Sequence, residues 1–323
     1  MKILFYGFRH THIDGLYNLA KNNSRVEIVA CLEENETERK KSEERLGVTF
    51  DTQPYEEWLK TDVDAVAIGG RYGDRGQAII KALKAGKHVI ADKPICTRME
   101  EYEEIEKLAK EKNVKIACMF DLRYMPSARI AKTLFESGEM GEVRNVSFIG
   151  QHYLNYGVRP SWYFEEGMHG GTLNDLAIHG VDLITYLTGL CIKEVNGARC
   201  WNAYATQEKN FKDCATCMAT LDNGAGVLAD TSYSAPPSAC DTELWWNFKF
   251  WCDNGLVTFN YKSPNVTVYK VDEKEPKILE GVASTVNYLD DFIDEIEKDG
   301  NAMTDSVLCA TYQALFLQSK ADK

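Results

Sequence analysis

No stretch of this 323-residue chain approaches the roughly 18 consecutive apolar residues of a membrane-spanning helix. The N-terminal run MKILFYGFRHTH has too short an apolar core for a signal peptide, so a cytoplasmic protein is expected. Basic charge is in the minority: 37 Lys and Arg stand against 49 Asp and Glu, a net charge of −12. Such a chain repels phosphate backbones and anionic membrane surfaces, so neither nucleic acid nor a membrane is expected as a partner. Any anionic ligand must find a local cluster of donors in particular loops. Internal repeats, low-complexity tracts and long linkers are missing as well, and 44% apolar residues excludes disordered and fibrous classes. The ten cysteines, at positions 31, 96, 118, 191, 200, 214, 217, 240, 252 and 309, follow no disulfide-framework spacing, and reduced thiols are expected. Cys214 and Cys217 form a C-x-x-C. They sit in the apparent strand FKDCATCMATL, where residues three apart face opposite sides, and no second ligand pair is near.

What is present divides at about residue 120. The segments KILFYG, VEIVACL, DAVAIGG, KHVIADKP and VKIACMF alternate with amphipathic helices, the rhythm of a parallel α/β sheet with crossovers, over residues 1–120. Such sheets carry their chemistry at the carboxyl edge, where loops 7–12, 69–76 and 92–97 would gather. Residues 121–323 read as a second α/β domain with an open, mostly antiparallel sheet. ATCMATL, AGVLADTSYS, ELWWNFKFWC, LVTFNY and VTVYKV are its strands, and helices from about Val286 and Asp305 close the chain. Trp245, Trp246, Phe248, Phe250 and Trp251 put five aromatics into seven residues. They either pack this domain's core or bury the sheet against a second copy of the protein, as a dimer or tetramer.

Chemistry concentrates in two motifs. In residues 170–189, GGTLNDLAIHGVDLITYLTG, the spacing predicts one helical face bearing Asp175, His179 and Asp182 at i, i+4 and i+7 within an otherwise apolar run. These polar groups either partner one another in the core or serve a reaction. Asp92, Lys93 and Pro94 end the strand HVIA, which aims the lysine ammonium off the carboxyl edge. Oxidising a carbinol needs a base for its proton and a positive donor for the developing alkoxide. His179 suits the first task and Lys93 the second, while Asp175 can orient them or hold a neighbouring hydroxyl.

These motifs, with AGKHVIADKP, RYMP from Arg123, SGEMGEVRNV, and Trp162 followed by HGGTLNDLAIHGVDLITYLTG, resemble the Gfo/Idh/MocA oxidoreductase family along most of the chain. The resemblance implies an N-terminal Rossmann dinucleotide-binding domain and a C-terminal sheet that commonly mediates oligomerisation. It implies Lys93, Asp175 and His179 as catalytic residues, with Asp92 replacing the usual glutamate before the lysine. It also implies hydride transfer between a nicotinamide and a hydroxyl-bearing carbon of a sugar, sugar derivative or cyclitol. Arg123, Trp162 and Tyr163 lie at or beside matching substrate positions. The dinucleotide fingerprint G-x-G-x-x-G is degraded to Gly7, Phe8, Arg9, His10, Thr11 and His12, so Arg9 is expected to pair with a pyrophosphate together with amides at the helix start near His12. Gly69 and Arg71 in the second loop, with Arg75 as a further donor, and Asp92 and Lys93 in the third are expected at the cofactor as well. Glu33 follows VEIVACL where an acidic side chain binds the adenosine ribose diol, which favours NAD over NADP. His10 and His12 alternate without an adjacent carboxylate or cysteine, and no metal is expected. The rival readings are a nucleotide or sugar sensor without turnover, and an NAD-retaining hydrolase or epimerase.

Overall fold

The computed structural model describes residues 1–240 and 242–321. Its contacts divide into two units, and the division is not a single cut. The first unit comprises Met1–Met119, Gly167–Gly170 and Asn287–Leu308, and the second comprises Phe120–Glu166, Gly171–Val286 and the chain from Cys309 on.

In the first unit, strands β1 (Lys2–Tyr6), β2 (Glu27–Leu32), β3 (Ala65–Ile68), β4 (His88–Ala91) and β5 (Ile116–Cys118) form a five-stranded parallel sheet in the order β2-β1-β3-β4-β5. Helices α1 (Ile13–Lys21), α2 (Glu36–Leu46), α3 (Tyr55–Trp58), α4 (Tyr72–Lys84) and α5 (Met99–Lys112) make the crossovers. AVAI of β3 is buried throughout, as a strand covered on both faces must be. The strand order reverses at β1, which makes its carboxyl end a topological switch point. Register pairs Tyr6 with Ile68 and Ile68 with Ala91, so Gly7, Gly69 and Asp92 leave the sheet side by side. A Cβ on Gly69 would stand 2.3 Å from the Gly7 carbonyl oxygen, and Gly7 holds φ at +80°. Only glycine lets these two loops touch.

In the second unit, helices α6 (Pro126–Glu136) and α7 (Ile178–Thr188) accompany an eight-stranded sheet. The strands are β6 (Val143–Ile149), β7 (Ile192–Trp201), β8 (Cys214–Leu221), β9 (Gly226–Asp230), β10 (Asn247–Cys252), β11 (Gly255–Asn260), β12 (Val266–Lys270) and β13 (Lys277–Leu279). They lie in the order β13-β12-β11-β10-β6-β9-β8-β7. β6 and β9 run parallel and the other neighbours antiparallel. Alternation decides which side is core: Val146, Phe148, Phe248, Phe250, Val257 and Phe259 are buried, whereas Ile149, Met218, Leu228, Trp251 and Tyr269 are about half exposed on the other face. Three of the five clustered aromatics, Trp246, Phe248 and Phe250, are therefore internal, and Trp251 faces out. The predicted strand ELWWNFKFWC begins only at Asn247, because Trp246 takes a left-handed φ of 45° that breaks the ladder.

The closing helices are α8 (Tyr288–Glu297) and α9 (Ala302–Ala321), and α9 runs out of the first unit into the second. Among the described residues no helix is long and apolar enough to cross a membrane. Gly180 marks where α7 meets the sheet: a Cβ there would fall 2.2 Å from the Phe148 ring, which is itself stacked on Phe248 and cannot yield. Gly180→Ala should cost about 1–3 kcal/mol by overpacking. Urea denaturation checks this, and an unchanged midpoint would contradict the packing.

Candidate active site

In the first unit a buried charge organises the loops at the sheet edge. Asp92 is 0% exposed, and both its oxygens are occupied. The Arg75 Nη2 donates at 2.8 Å and His10 Nδ1 makes a shorter contact to one oxygen, while the Lys93 amide donates at 2.8 Å to the other. Burial alone would raise this carboxyl, but the guanidinium of Arg75, seconded by His10, holds it well below the usual carboxylate range. Arg75, 1% exposed, also donates to the carbonyls of Gly69, Gly70, Asp92, Lys93 and Pro94. One side chain thus bolts the loop after β3 to the loop that carries Lys93, whose Nζ lies 5.9 Å from the Tyr72 ring centroid. The expectation of Arg75 as an anion donor fails because its N–H groups are spent on the protein. His10, His12 and Asp92 lie close enough for metal ligands. The donors already on both Asp92 oxygens, and the adjoining guanidinium, oppose a cation there.

Beside this hub opens a cavity of about 370 Å³ whose lining includes Gly7, Arg9, Glu33, Gly69, Arg71 and Arg98. Glu33 is 5% exposed and accepts from the Phe8 amide at 2.8 Å and from Arg9 Nε at 3.2 Å. Arg71 pairs with Asp74 at 2.6 Å on the cavity rim. Three residues expected at a cofactor turn inward instead. Phe8 packs on Phe50, His10 lies between Asp92 and the Tyr72 hydroxyl, and Asp92 is sealed beneath the loops. Thr11 stays on the surface, and the His12 side chain is half exposed. The expected amides at the start of α1 are also committed: Ile13, Asp14 and Gly15 donate to the carbonyls of His10, Thr11 and His12. Of the expected partners, Arg9 and Arg71 line the cavity, beside Arg98.

In the second unit a π-helical turn, Leu173–Ala177, precedes α7 and replaces the regular helix that the i, i+4 spacing implied. The Leu173 amide donates to Gln318 Oε1 at 3.0 Å, and a Cβ on Gly171 would strike that same amide group at 2.1–2.5 Å. The three polar groups of the predicted face take different partners. Asp175, 1% exposed, accepts from the Tyr233 hydroxyl. Burial, and then the charge of Asp175, pushes the Tyr233 phenol well above its ordinary range, so it stays a proton donor. The His179 ring sits edge-on to Trp246 at 5.1 Å and to Phe120 at 6.4 Å. Asp182 leaves this group: it pairs with Arg123 in a buried fork with Nε–Oδ2 at 2.8 Å. Arg123, expected at substrate, is 6% exposed and supports the interior by that pair. Trp162 and Tyr163 stack on each other at 4.1 Å in the turn Ser161–Phe164. The Arg159 guanidinium lies over the rings of both Tyr163 and Tyr233, which joins Tyr163 to the Asp175 group.

Sequence reasoning missed Tyr233, Trp246 and Arg159, since loops reaching α7 from remote positions carry no periodic signal. The clamp role of Arg75 was hidden for the same reason.

The chain matches two family profiles: "Oxidoreductase family, NAD-binding Rossmann fold" over residues 6–120 and "GFO/IDH/MocA C-terminal domain" over residues 128–258. It is similar to levoglucosan dehydrogenase from Pseudarthrobacter phenanthrenivorans, 32% identical over 133 residues, 40% of this chain and 34% of that protein. It is also similar to scyllo-inositol 2-dehydrogenase (NAD(+)) from Bacillus subtilis, 28% identical over 193 residues, 59% of this chain and 55% of that protein. The matched regions thus span about a third to a half of these curated relatives. The crystal structure of myo-inositol 2-dehydrogenase from Lactobacillus plantarum superposes with a TM-score of 0.78 at 19% identity, covering 100% of this chain and 97% of that one, a likeness of fold.

The Asp92 hub has a pH signature. Burial, against the pull of Asp92, lowers His10 to about 4, so it is neutral in the folded chain, donating from Nδ1 and accepting the Tyr72 hydroxyl at Nε2. The unfolded histidine takes a proton at about 6.5, so stability present above that pH is lost as the pH falls toward 4. His88, also lowered by burial, adds to the same slope. Melting midpoints should drop across this window, and His10→Asn, which keeps an amide donor for Asp92, should flatten the drop. An unaltered slope in the variant would show that His10 titrates normally.

Proposed function

Because this chain belongs to the Gfo/Idh/MocA family of NAD(P)-dependent oxidoreductases, we propose that it is a dehydrogenase that moves hydride between NAD and a hydroxyl-bearing carbon of a sugar, sugar derivative or cyclitol. The observation that carries this reading is the pairing at the head of α7: His179 held edge-on by Trp246 and Phe120, and Asp175 fixed one turn earlier by Tyr233. An imidazole set among aromatic rings, next to an anchored carboxylate, has the parts needed to take a carbinol proton and to accept a hydrogen bond from a neighbouring hydroxyl. Names carried by the relatives, levoglucosan and scyllo-inositol dehydrogenases, fit such polyhydroxylated rings.

The first unit's residues fit a dinucleotide despite the degraded fingerprint. Gly7, Gly69 and Gly70 keep the two loops bare of Cβ atoms beside the cavity of about 370 Å³, with Arg9, Arg71 and Arg98 on its wall. Arg9 would meet the pyrophosphate, and the carboxylate of Glu33 would accept from the ribose diol and repel a 2′-phosphate. When bound, the nicotinamide supplies the hydride acceptor or donor. His179 acts as general acid and base, Lys93 stabilises the developing alkoxide, and Asp175 orients the substrate.

Fluorescence titration should give tighter binding of NADH than of NADPH, and no binding of either would favour the sensor reading. With a polyol substrate in hand, Lys93→Ala and His179→Ala should each lower turnover by orders of magnitude while circular dichroism is unchanged. Full activity in either variant would refute the assignment. A net change in nicotinamide absorbance during turnover separates this reaction from NAD-retaining hydrolysis or epimerisation.

The half-exposed row Ile149, Met218, Leu228, Trp251 and Tyr269 supports a homo-oligomer formed through the open sheet. Sedimentation at micromolar concentration should report a dimer or tetramer, and Trp251→Lys should dissociate it. A wild-type monomer would remove this part of the proposal.

A further inference from the structure

Cys191 and Cys309 stand apart from the chemistry above. They are 118 residues apart in sequence, yet their Sγ atoms lie 3.1 Å from each other in the second unit. Cys191 sits between Gly189, which caps α7, and the start of β7, and Cys309 lies on α9. Both are partly accessible. The contact belongs to a built joint. The Gln313 amide, 2% exposed, donates to Cys309 Sγ at 3.1 Å and to Thr185 Oγ1 at 3.1 Å, and accepts from the Ile192 amide at 2.5 Å. The Cys191 backbone is pinned by Asp222, whose amide donates to the Cys191 carbonyl at 3.0 Å. Sulfurs held this close on fixed backbones can form a bond with little rearrangement.

We propose that Cys191 and Cys309 are an oxidation site, converted by hydroperoxides into an intramolecular disulfide that ties the α7–β7 turn to α9. Cys191 reacts first: its thiolate attacks the peroxide oxygen, the O–O bond breaks, and hydroxide or alkoxide leaves to give a sulfenic acid. The Cys309 sulfur then attacks the sulfenic sulfur, the S–O bond breaks, and water departs with the thiol proton. Two thiols are oxidised and one hydrogen peroxide is reduced to two waters, or one organic hydroperoxide to an alcohol and one water. The order follows from burial, which pushes the Cys309 thiol up to about 12 and leaves it a poor first nucleophile but an adjacent resolving group. A bond here fastens the first half of α9 to the turn after α7, while Gln318 further along α9 already supports the π-helical turn before α7, so oxidation stiffens the frame around α7. This inference does not depend on the reaction proposed above.

The test treats the purified full chain with hydrogen peroxide, alkylates remaining thiols under denaturing conditions, and maps peptides without reduction. The expected result is one cross-linked pair, Cys191 with Cys309, reversed by dithiothreitol, with the other eight cysteines alkylated. The melting midpoint should rise by several degrees on oxidation, since the bond closes a long loop. That rise should vanish in Cys191→Ser and in Cys309→Ser. Serine preserves the size and polarity of the joint, and if a variant fails to fold, the peptide map of the unaltered chain still decides. Full alkylation of both cysteines after peroxide, over-oxidation of Cys191 to the sulfinic acid without pairing, or a disulfide to any other cysteine would overturn the proposal.

Discussion

The first unit depends on keeping one carboxylate charged where water cannot reach it. An isolated buried carboxylate is costly by several kcal/mol, and Asp92 is tolerated because Arg75, His10 and the Lys93 amide answer both of its oxygens. The compensation also serves as architecture. To reach Asp92, Arg75 crosses beneath both loops at the carboxyl edge and uses its other N–H groups on five of their carbonyls. A charge pair that could have been a liability therefore sets the path of the chain on either side of Lys93.

The same logic explains the odd fingerprint. With two fingerprint glycines replaced by Arg9 and His12, the loop after β1 cannot lie as close to a ligand as a glycine-rich turn. Its residues divide instead between inside and outside. Phe8 and His10 become interior contacts for the core and for Asp92, while Arg9 stays on the cavity wall against Glu33. Backbone approach is retained where Gly7 meets Gly69 and Gly70. The cavity wall thus offers charged side chains where a glycine-rich turn would offer backbone amides.

In the second unit the polar groups around α7 are likewise sorted by partner. Asp175, on the π-helical turn Leu173–Ala177, accepts from Tyr233, while Asp182, on the regular turns of α7, pairs with Arg123. His179 stands between these two buried polar pairs, with aromatic edges fixing its ring. Gln318 and Gln313 on α9 brace the turn before α7 and the turn after it, so one long helix frames the segment at both ends.

The amino-acid pattern by itself determined the parallel sheet of the first unit, the mostly antiparallel second sheet, the two closing helices, and the candidacy of Lys93, Asp175 and His179. Hydrophobic period and glycine, proline and charge positions are local properties, and each of these readings needed nothing more. The split of the chain into units, with Asn287–Leu308 returning to the first, was decided only by packing. So were the inward turn of His10 and Asp92, the loss of Asp182 and Arg123 to each other, the capture of Arg75, and the arrival of Tyr233 and Trp246 at α7. Each of these joins residues dozens to hundreds of positions apart. Which polar group meets which is set by where burial leaves an unmet hydrogen bond or charge, a quantity that exists only once the tertiary structure has formed.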